Sequence, residues 1–242
     1  MTSSSPTSSA STRPFGGRAR HRGTVLFEDR TREAGLALDT RPTTGWGIVL
    51  ADFDQDGSLD LMAVNGHIRP EPGQTYPYEN PPLLWRGLGN GRLRNVSATA
   101  GPYFQKLYLG RGLAAGDLDG DGDLDLVAVH HHAPSVVLWN QTEGKGKSLR
   151  VDLRGSGKNR DAVGARLVAH VGDRVMTRSV TGGGSYISSG DGRPHFGLGS
   201  AEEVDRLEIH WPDGLITVRD RVPAGEIPIR REDESSGTRP TR

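Results

Sequence analysis

Hydrophobic and polar residues alternate in short runs along most of this chain. The segments LDLMAV (59–64) and LDLVAV (124–129) alternate with period two, which is the pattern of a half-buried β-strand rather than of a helix. Further β-rich runs are SLRVDLRGS, ARLVAHV, RVMTRSVTG, DRLEIHW and LITVRD, and turn residues separate them. The pattern therefore predicts many short strands joined by tight turns.

The chain also contains an internal repeat. Residues 45–68 and 110–133 align at a constant offset of 65, and half of the aligned positions are identical. A second pair of segments, 26–36 and 92–102, recurs at an offset of 66. Self-similarity at a fixed period predicts a solenoid or a propeller, in which one repeat cannot bury its own apolar face.

Each repeat carries an acidic loop, DFDQDGSLDL at 52–61 and DLDGDGDLDL at 117–126. Carboxylates this close repel one another, so a positive ion between them would favour folding. Carboxylates at loop positions 1, 3, 5 and 9 and a carbonyl at position 7 form an all-oxygen set that suits Ca²⁺. The sequence predicts two Ca²⁺ sites, with ligands Asp52, Asp54, Asp56, Ser58 and Asp60 in one and Asp117, Asp119, Asp121, Asp123 and Asp125 in the other.

Two other interpretations of these loops are possible. An EF-hand needs flanking helices and a glutamate at position 12, but strands flank both loops and position 12 is Ala63 or Ala128. A polar turn without metal is the remaining alternative, because aspartate hydrogen-bonds well to nearby backbone. Two loops in the same register favour metal binding over that alternative.

The amino-acid composition excludes some classes of function. The 242 residues include 34 glycines and no cysteine, and 30 basic side chains balance 30 acidic ones. Disulfides and thiolate chemistry are excluded, and the zero net charge gives no reason to expect a nucleic-acid partner. No window approaches 18 apolar residues, so no membrane span is predicted.

Both ends of the chain are polar. Residues 1–23 are rich in serine and arginine and contain no acid, which predicts a disordered tail, with an organelle transit peptide as the alternative. Residues 231–242 are predicted to be a second disordered tail. The first 23 residues lack the apolar core of a signal peptide, so a cytoplasmic location is expected if residue 1 is the true start.

The repeats resemble FG-GAP or VCBS-type repeats, the calcium-loop blades of integrin-like β-propellers. Downstream, NRDAVGARL (159–167), GGGSYISSGDGRPHFGLG (182–199) and VDRLEIHWPDG (204–214) resemble the ASPIC/UnbV domain. In this order the two are similar to the arrangement of the cartilage acidic protein 1 family. The resemblance implies blade repeats over residues 24–141 and an ASPIC/UnbV-like domain over 145–230.

We therefore predict an all-β chain, with a partial β-propeller of about two blades followed by a small antiparallel β-sandwich or barrel. Family propellers are expected to have about seven blades, so the resemblance implies only the C-terminal part of such a protein. Open blade edges near residues 46–51 or 135–139 should then favour self-association.

The function expected from these features is a non-catalytic calcium-binding interaction module with a protein or carbohydrate partner. The alternative is an accessory protein or enzyme of a secondary-metabolite pathway of the enediyne type, because UnbV-type proteins resemble genes found beside such pathways. No paired acid and base and no cofactor fingerprint occur, so no catalytic residue is predicted. The family resemblance implies an extracellular or periplasmic location.

Three other motifs contain residue types that can bind phosphate, form a catalytic triad or chelate a metal. TGGGSYISSG lacks the lysine and the following helix of a phosphate-binding loop. Ser185, His195 and Asp191 could form a catalytic triad only if the fold brought them together. Residues 130–132 are three consecutive histidines. At most two of them could chelate a metal, since neighbouring side chains on a strand point to opposite faces.

Overall fold

The structure is a computed structural model that describes residues 19–21, 24–70 and 77–231, and it is all-β, as predicted. Helical geometry within these ranges is confined to the short helix α1 (Ala37–Thr40) and two 3₁₀ turns, Ser97–Thr99 and Pro102–Gln105. Among the same residues, no helix has the length and apolar character needed to cross a membrane.

A two-stranded antiparallel sheet stands at the start of the described chain. Strand β1 (Ala19–His21) pairs with β2 (Thr24–Leu26). Strand β1 lies within residues 1–23, which were expected to be a disordered tail, so that expectation does not hold for these three residues. The rest of that stretch, and residues 232–242 of the second expected tail, lie outside the described residues.

The first repeat forms a four-stranded antiparallel sheet in the order β3-β4-β5-β6. Glycines on both sides of Asn90 adopt positive φ, +73° at Gly89 and +79° at Gly91, and close the hairpin between the last two strands. Trp85 is fully buried in this sheet, and its Nε1 donates to Asp39 at 2.9 Å. The strands are β3 (Gly45–Ala51), β4 (Asp60–Asn65), β5 (Leu83–Gly87) and β6 (Leu93–Asn95).

The second repeat forms a three-stranded antiparallel sheet of β7 (Gly110–Gly116), β8 (Asp125–His130) and β9 (Val136–Leu138). Its buried Leu113 packs into one apolar cluster with Met62 of the first sheet. Each sheet therefore covers an apolar face of its neighbour, as expected of repeats that cannot form a core alone. The arrangement is consistent with a partial β-propeller.

The C-terminal sandwich (residues 147–230) consists of two sheets around a core that includes the fully buried Leu149, Phe196 and Leu207. One sheet is antiparallel, in the order β12-β11-β14-β15, and the other has the order β13-β10-β16. The strands are β10 (Lys147–Arg154), β11 (Arg166–Val171), β12 (Arg174–Ser179), β13 (His195–Gly199), β14 (Glu203–His210), β15 (Ile216–Pro223) and β16 (Gly225–Arg230).

The sandwich is antiparallel, as predicted, except at one pair of strands. Strand β16 runs parallel to β10, because the chain leaves the other sheet after β15 and enters β16 in the direction of β10. Strands β13 and β16 were also absent from the sequence pattern, since HFGLG and GEIPIR do not alternate cleanly. No sheet of the described residues closes into a barrel.

Candidate metal centre

The first loop (residues 52–60) joins β3 to β4 and gathers carboxylates on a tight turn. One oxygen from each of Asp52, Asp54 and Asp60 lies within 4.8 Å of the others. Gly57 has φ +93°, a conformation that side chains disfavour, and its N–H donates to Asp52 Oδ2 at 2.9 Å. The turn therefore points several carboxylate oxygens at one position.

Burial makes the charge of the first loop unfavourable. Asp52 is 1% exposed and Asp60 is 4% exposed. Loss of hydration, together with repulsion from neighbouring carboxylates, raises the pKa of Asp52 to about 7 and that of Asp60 to about 6. The pKa of Asp54 is also raised, first by burial and then by the charge of Asp56. A bound cation would remove this penalty.

A cation of the protein itself already contacts the first loop. The guanidinium of Arg86, on β5 of the same sheet, lies 2.7 Å from Asp54 Oδ2 and 2.9 Å from Asp56 Oδ2. Asp56 thus faces Arg86 rather than joining the three clustered oxygens, although the sequence assigned it to the metal. Ser58 N–H donates to Asp56 Oδ1 at 2.8 Å, which fixes the backbone at the position predicted to offer a carbonyl.

The second loop (residues 117–125) repeats this geometry between β7 and β8. Single oxygens of Asp117, Asp119 and Asp121 lie within 4.8 Å of one another, and Gly122 has φ +92°. Asp117 accepts the N–H groups of Gly120 and Gly122, at 2.7 and 3.1 Å. In contrast to the first loop, Asp119 and Asp121 are exposed.

Two cations from beyond the repeats balance the second loop. Arg150 Nη1, on β10, lies 2.5 Å from Asp117 Oδ2, and Arg150 Nη2 lies 2.5 Å from Glu226 Oε2. Lys145 contacts the buried carboxylate of Asp123, and its Nζ lies 3.6 Å from Asp121 Oδ2. The structure therefore places positive groups at both acidic loops.

The last predicted ligand of each loop accepts hydrogen bonds from backbone N–H groups. Asp60 accepts the N–H groups of Phe53 and Gly87, at 2.9 and 2.8 Å. Asp125, its counterpart, accepts those of Leu118 and Asn140, at 3.0 and 2.8 Å. Both carboxylates tie the end of the loop to a neighbouring strand, while Asp60 also lies in the oxygen cluster and Asp125 does not.

Gln55 links the two loops, and the sequence interpretation missed it. This residue has φ +58°, and its Nε2 donates to Asp123 Oδ1 at 2.7 Å and to the carbonyl of Gly122 at 3.2 Å. It lies inside the first loop at a position that the ligand pattern leaves open. No local signal marks the contact, because its partners are more than sixty positions away.

The C-terminal sandwich also packs on the loops, which the sequence did not predict. Gly199 N–H donates to the carbonyl of Gln55 at 2.8 Å, and Arg174 Nη1 donates to the carbonyl of Asp56 at 2.7 Å. Gly197 lies so close that a Cβ there would be 2.0 Å from Asp52 Oδ2. Close approach to the first loop therefore requires glycine at position 197, whereas Gly199 is favoured by its positive φ of +65°.

The donor set fits a hard divalent cation. The ligand atoms gathered in both loops are carboxylate oxygens, and the buried carboxylates of the first loop bind protons more tightly than usual. Such a set prefers Ca²⁺ to softer metals, and when bound the ion supplies positive charge at the centre of the turn.

Ser185, Asp191 and His195, the imagined triad, line one cavity but make their hydrogen bonds and ion pairs with other residues. Ser185 Oγ accepts the N–H of Ile48 at 2.8 Å, Asp191 pairs with Arg193, and His195 Nε2 lies 3.3 Å from the carbonyl of Gly122. No hydrogen bond joins the three residues of the imagined triad.

The histidine run 130–132 has a structural role at its first member. His130 is buried, and its ring nitrogens contact Tyr103 Oη at 2.8 Å and the carbonyl of Pro134 at 2.9 Å. Both nitrogens of the His130 ring are therefore occupied, so the residues of this run that remain as possible metal ligands are His131 and His132. Their ring centroids lie 3.7 Å apart.

Comparison with known families agrees with this architecture. The FG-GAP-like repeat family matches residues 75–128, which include the whole second loop, and the family described as ASPIC and UnbV matches residues 155–236. The chain thus carries, in this order, a segment similar to an FG-GAP-like repeat and a segment similar to an ASPIC/UnbV domain.

Similarity to a particular protein extends over most of the chain. Cartilage acidic protein 1 of Xenopus tropicalis is 29% identical over 259 aligned positions, which cover 86% of this chain and 39% of that protein. The Homo sapiens protein of the same name is 27% identical over 258 positions, covering 86% and 38%. The predicted family resemblance is confirmed, and the chain spans about two fifths of the length of the curated relatives it matches.

Proposed function

We propose that this chain is a non-catalytic interaction module that binds Ca²⁺ at both acidic loops. The observation that carries the proposal is the convergence of three carboxylate oxygens within 4.8 Å at each loop, with the first two aspartates of each cluster in equivalent positions of the two repeats. The first loop adds a second argument, because its buried carboxylates are unfavourable without a cation.

The ion would stabilise the repeats in two ways. It would replace repulsion among the carboxylates with attraction, and it would connect the strand entering each loop to the strand leaving it. A ligand that binds only the folded state stabilises it by about 2.7 kcal/mol at a hundredfold excess over Kd. Two such sites would supply a large share of the stability of a small domain.

Calorimetric titration of metal-stripped protein tests the proposal. We expect two Ca²⁺ binding events, with weaker binding of Mg²⁺, because Mg²⁺ demands a tighter octahedral set of ligands. Asp54→Ala and Asp119→Ala should each remove one event, whereas Asp173→Ala, in an exposed hairpin turn of the sandwich, should remove neither. Absence of Ca²⁺ uptake by the folded wild-type chain at millimolar concentration would contradict the proposal.

We also propose that this module has a protein or carbohydrate partner and that it is located outside the cell or in the periplasm. Support comes from the family resemblance and from the relatives' name, cartilage acidic protein 1, which specifies no reaction. Loops of this type also suit the higher Ca²⁺ levels outside cells. Fractionation of the native cells, with detection by an antibody, tests the location, and recovery in the cytoplasmic fraction would contradict it.

A further inference from the structure

The second loop and the C-terminal sandwich share charged groups directly. Arg150 is 9% exposed and lies on β10, between Asp117 of the loop and Glu226 of β16. Its contact with Asp117 uses Oδ2, which also accepts the N–H of Gly122. Arg150 thus occupies an oxygen of a carboxylate that belongs to the predicted metal cluster.

Lys145 adds a second positive charge at the same loop. It precedes β10, and its ammonium contacts Asp123 and lies 3.6 Å from Asp121 Oδ2. A divalent cation among Asp117, Asp119 and Asp121 would therefore meet two positive groups within a few ångströms. Like charges at such distances repel strongly where water is partly excluded.

The first loop contacts the sandwich in a different way. There the sandwich and its linker use backbone carbonyls, with Arg174 donating to Asp56 O and Gly146 N–H donating to Asp54 O at 3.2 Å. Among the described residues, the ion pairs of this loop's carboxylates are made by Arg86, whose side chain is 43% exposed and belongs to the same sheet, while Arg178 of the sandwich acts on Asp52 only through its charge. Metal in the first loop therefore does not have to displace an ion pair made by the sandwich.

We propose that Arg150 and Lys145 compete with a divalent cation for the carboxylates of the second loop, so that docking of the sandwich lowers the metal affinity of this loop. The inference rests on the proposed Ca²⁺ binding and adds to it the regulation of one of the two sites. Coupling of this kind is reciprocal, so Ca²⁺ in the second loop weakens the contacts of Arg150 and Lys145 by the same factor. The junction between the repeats and the sandwich is thereby sensitive to metal.

Titration of the full chain with Ca²⁺ at low ionic strength tests the competition. Arg150→Gln and Lys145→Gln each remove one positive charge and leave a shorter, unbranched polar side chain. We expect each to tighten one of the two sites by about tenfold, with less than a twofold change at the other. Adding Asp119→Asn should abolish the tightened site and so assign it to the second loop.

Matched controls remove the same charge from the same strand. Arg154→Gln affects pairs with Asp152 and Asp161, and Lys147→Gln affects a contact with Glu202, all of them outside both loops. These variants should bind Ca²⁺ within about twofold of wild type, because the charge they remove is screened and lies outside the cluster. A tenfold change in the controls would attribute the effect to net charge and overturn the proposal.

A second measurement on the wild-type chain does not depend on any variant folding. The rate of reductive methylation of Lys145, followed by mass spectrometry, should rise severalfold on saturation with Ca²⁺, while that of Lys147 stays constant. Two Ca²⁺ events with no change in Lys145 reactivity and no tightening in the variants would overturn the competition and leave the proposed function intact. Failure of wild type and all variants to take up Ca²⁺ would overturn both.

Discussion

The two acidic loops have the same spacing of carboxylates but different surroundings. In the first loop Asp52 and Asp60 are buried, and the paired cation, Arg86, comes from the same sheet. In the second loop Asp119 and Asp121 are exposed, and the cations, Arg150 and Lys145, come from the first strand of the sandwich and the linker before it. Nearly identical sequence motifs therefore balance their charge by different means.

The difference shows what each loop contributes to folding stability before metal binds. Burial of ionised carboxylates in the first loop opposes folding, because their lost hydration is not replaced by close ion pairs at Asp52. In the second loop the buried pair of Asp117 and Arg150 holds the sandwich against the repeats. Four predictions test this contrast.

The largest expected effect is the pH dependence of metal-free stability. Asp52 has a pKa of about 7 in the folded chain, against an ordinary value of 3.8, so between these values the folded state holds a proton that the unfolded state has lost. Asp60, whose pKa of about 6 is also raised, adds to this effect, so the free energy of unfolding should fall as pH rises from 5 to 7, by about 3 kcal/mol for the two groups together. Urea unfolding in chelator at several pH values measures it.

Two variants make this pH test specific. Asp52→Asn should flatten most of the slope, because the amide does not titrate, whereas Asp173→Asn in an exposed turn should leave it unchanged. Saturating Ca²⁺ should also remove the fall in wild type. A flat profile for metal-free wild type would contradict the assigned penalty at the first loop.

The next prediction compares the loss of stability when equivalent aspartates of the two loops are replaced, at pH 7 in chelator. Asp117→Asn should lower the free energy of unfolding by about 3 kcal/mol, because it leaves the buried guanidinium of Arg150 with only Glu226. Asp52→Asn should cost less than about 1 kcal/mol, since it removes a desolvated charge that has no close ion pair. Equal costs in chemical denaturation would show that the loops do not differ as described.

A smaller effect is expected where the sandwich touches the first loop. A Cβ added to Gly197 would lie 2.0 Å from Asp52 Oδ2 and 2.6 Å from the Cα of Gln55, so the backbone must shift. Gly197→Ala should destabilise the chain by about 2 kcal/mol and weaken Ca²⁺ binding at the first loop more than at the second. Gly192→Ala has open space around the new methyl group and should be close to neutral in both measurements.

The smallest effect concerns Arg86. Its ion pairs with Asp54 and Asp56 are exposed, so Arg86→Gln should change the free energy of unfolding by about 0.5 kcal/mol. Removing this competing charge should nevertheless tighten Ca²⁺ binding at the first loop severalfold in calorimetry. Arg92→Gln, an exposed site in the adjacent hairpin, should alter neither quantity, and a weaker first site in Arg86→Gln would reverse the role given to this residue.

The tryptophans of the two repeats show the same limit of local sequence as the loops do. The segments LLWR and VLWN look alike, but Trp85 lies opposite Leu61 whereas Leu138, not Trp139, lies opposite the equivalent Leu126. Trp85 is fully buried beside Leu93 of the fourth strand, while Trp139 is 53% exposed. A shift of one residue reverses the face of a strand to which a side chain points, and local similarity did not reveal this shift.

Local sequence determined most of the strands, the repeat and the composition of the loops, because period-two alternation, glycine turns and carboxylate spacing act over a few residues. Only the tertiary structure decided which groups meet those loops. Gln55 reaches Asp123, Arg150 reaches Asp117 and Arg174 reaches the backbone of Asp56, across sequence separations of 68, 33 and 118 residues. Such contacts depend on how sheets pack, and no short-range pattern encodes them. The same reason explains why the parallel pairing of β16 with β10 was missed.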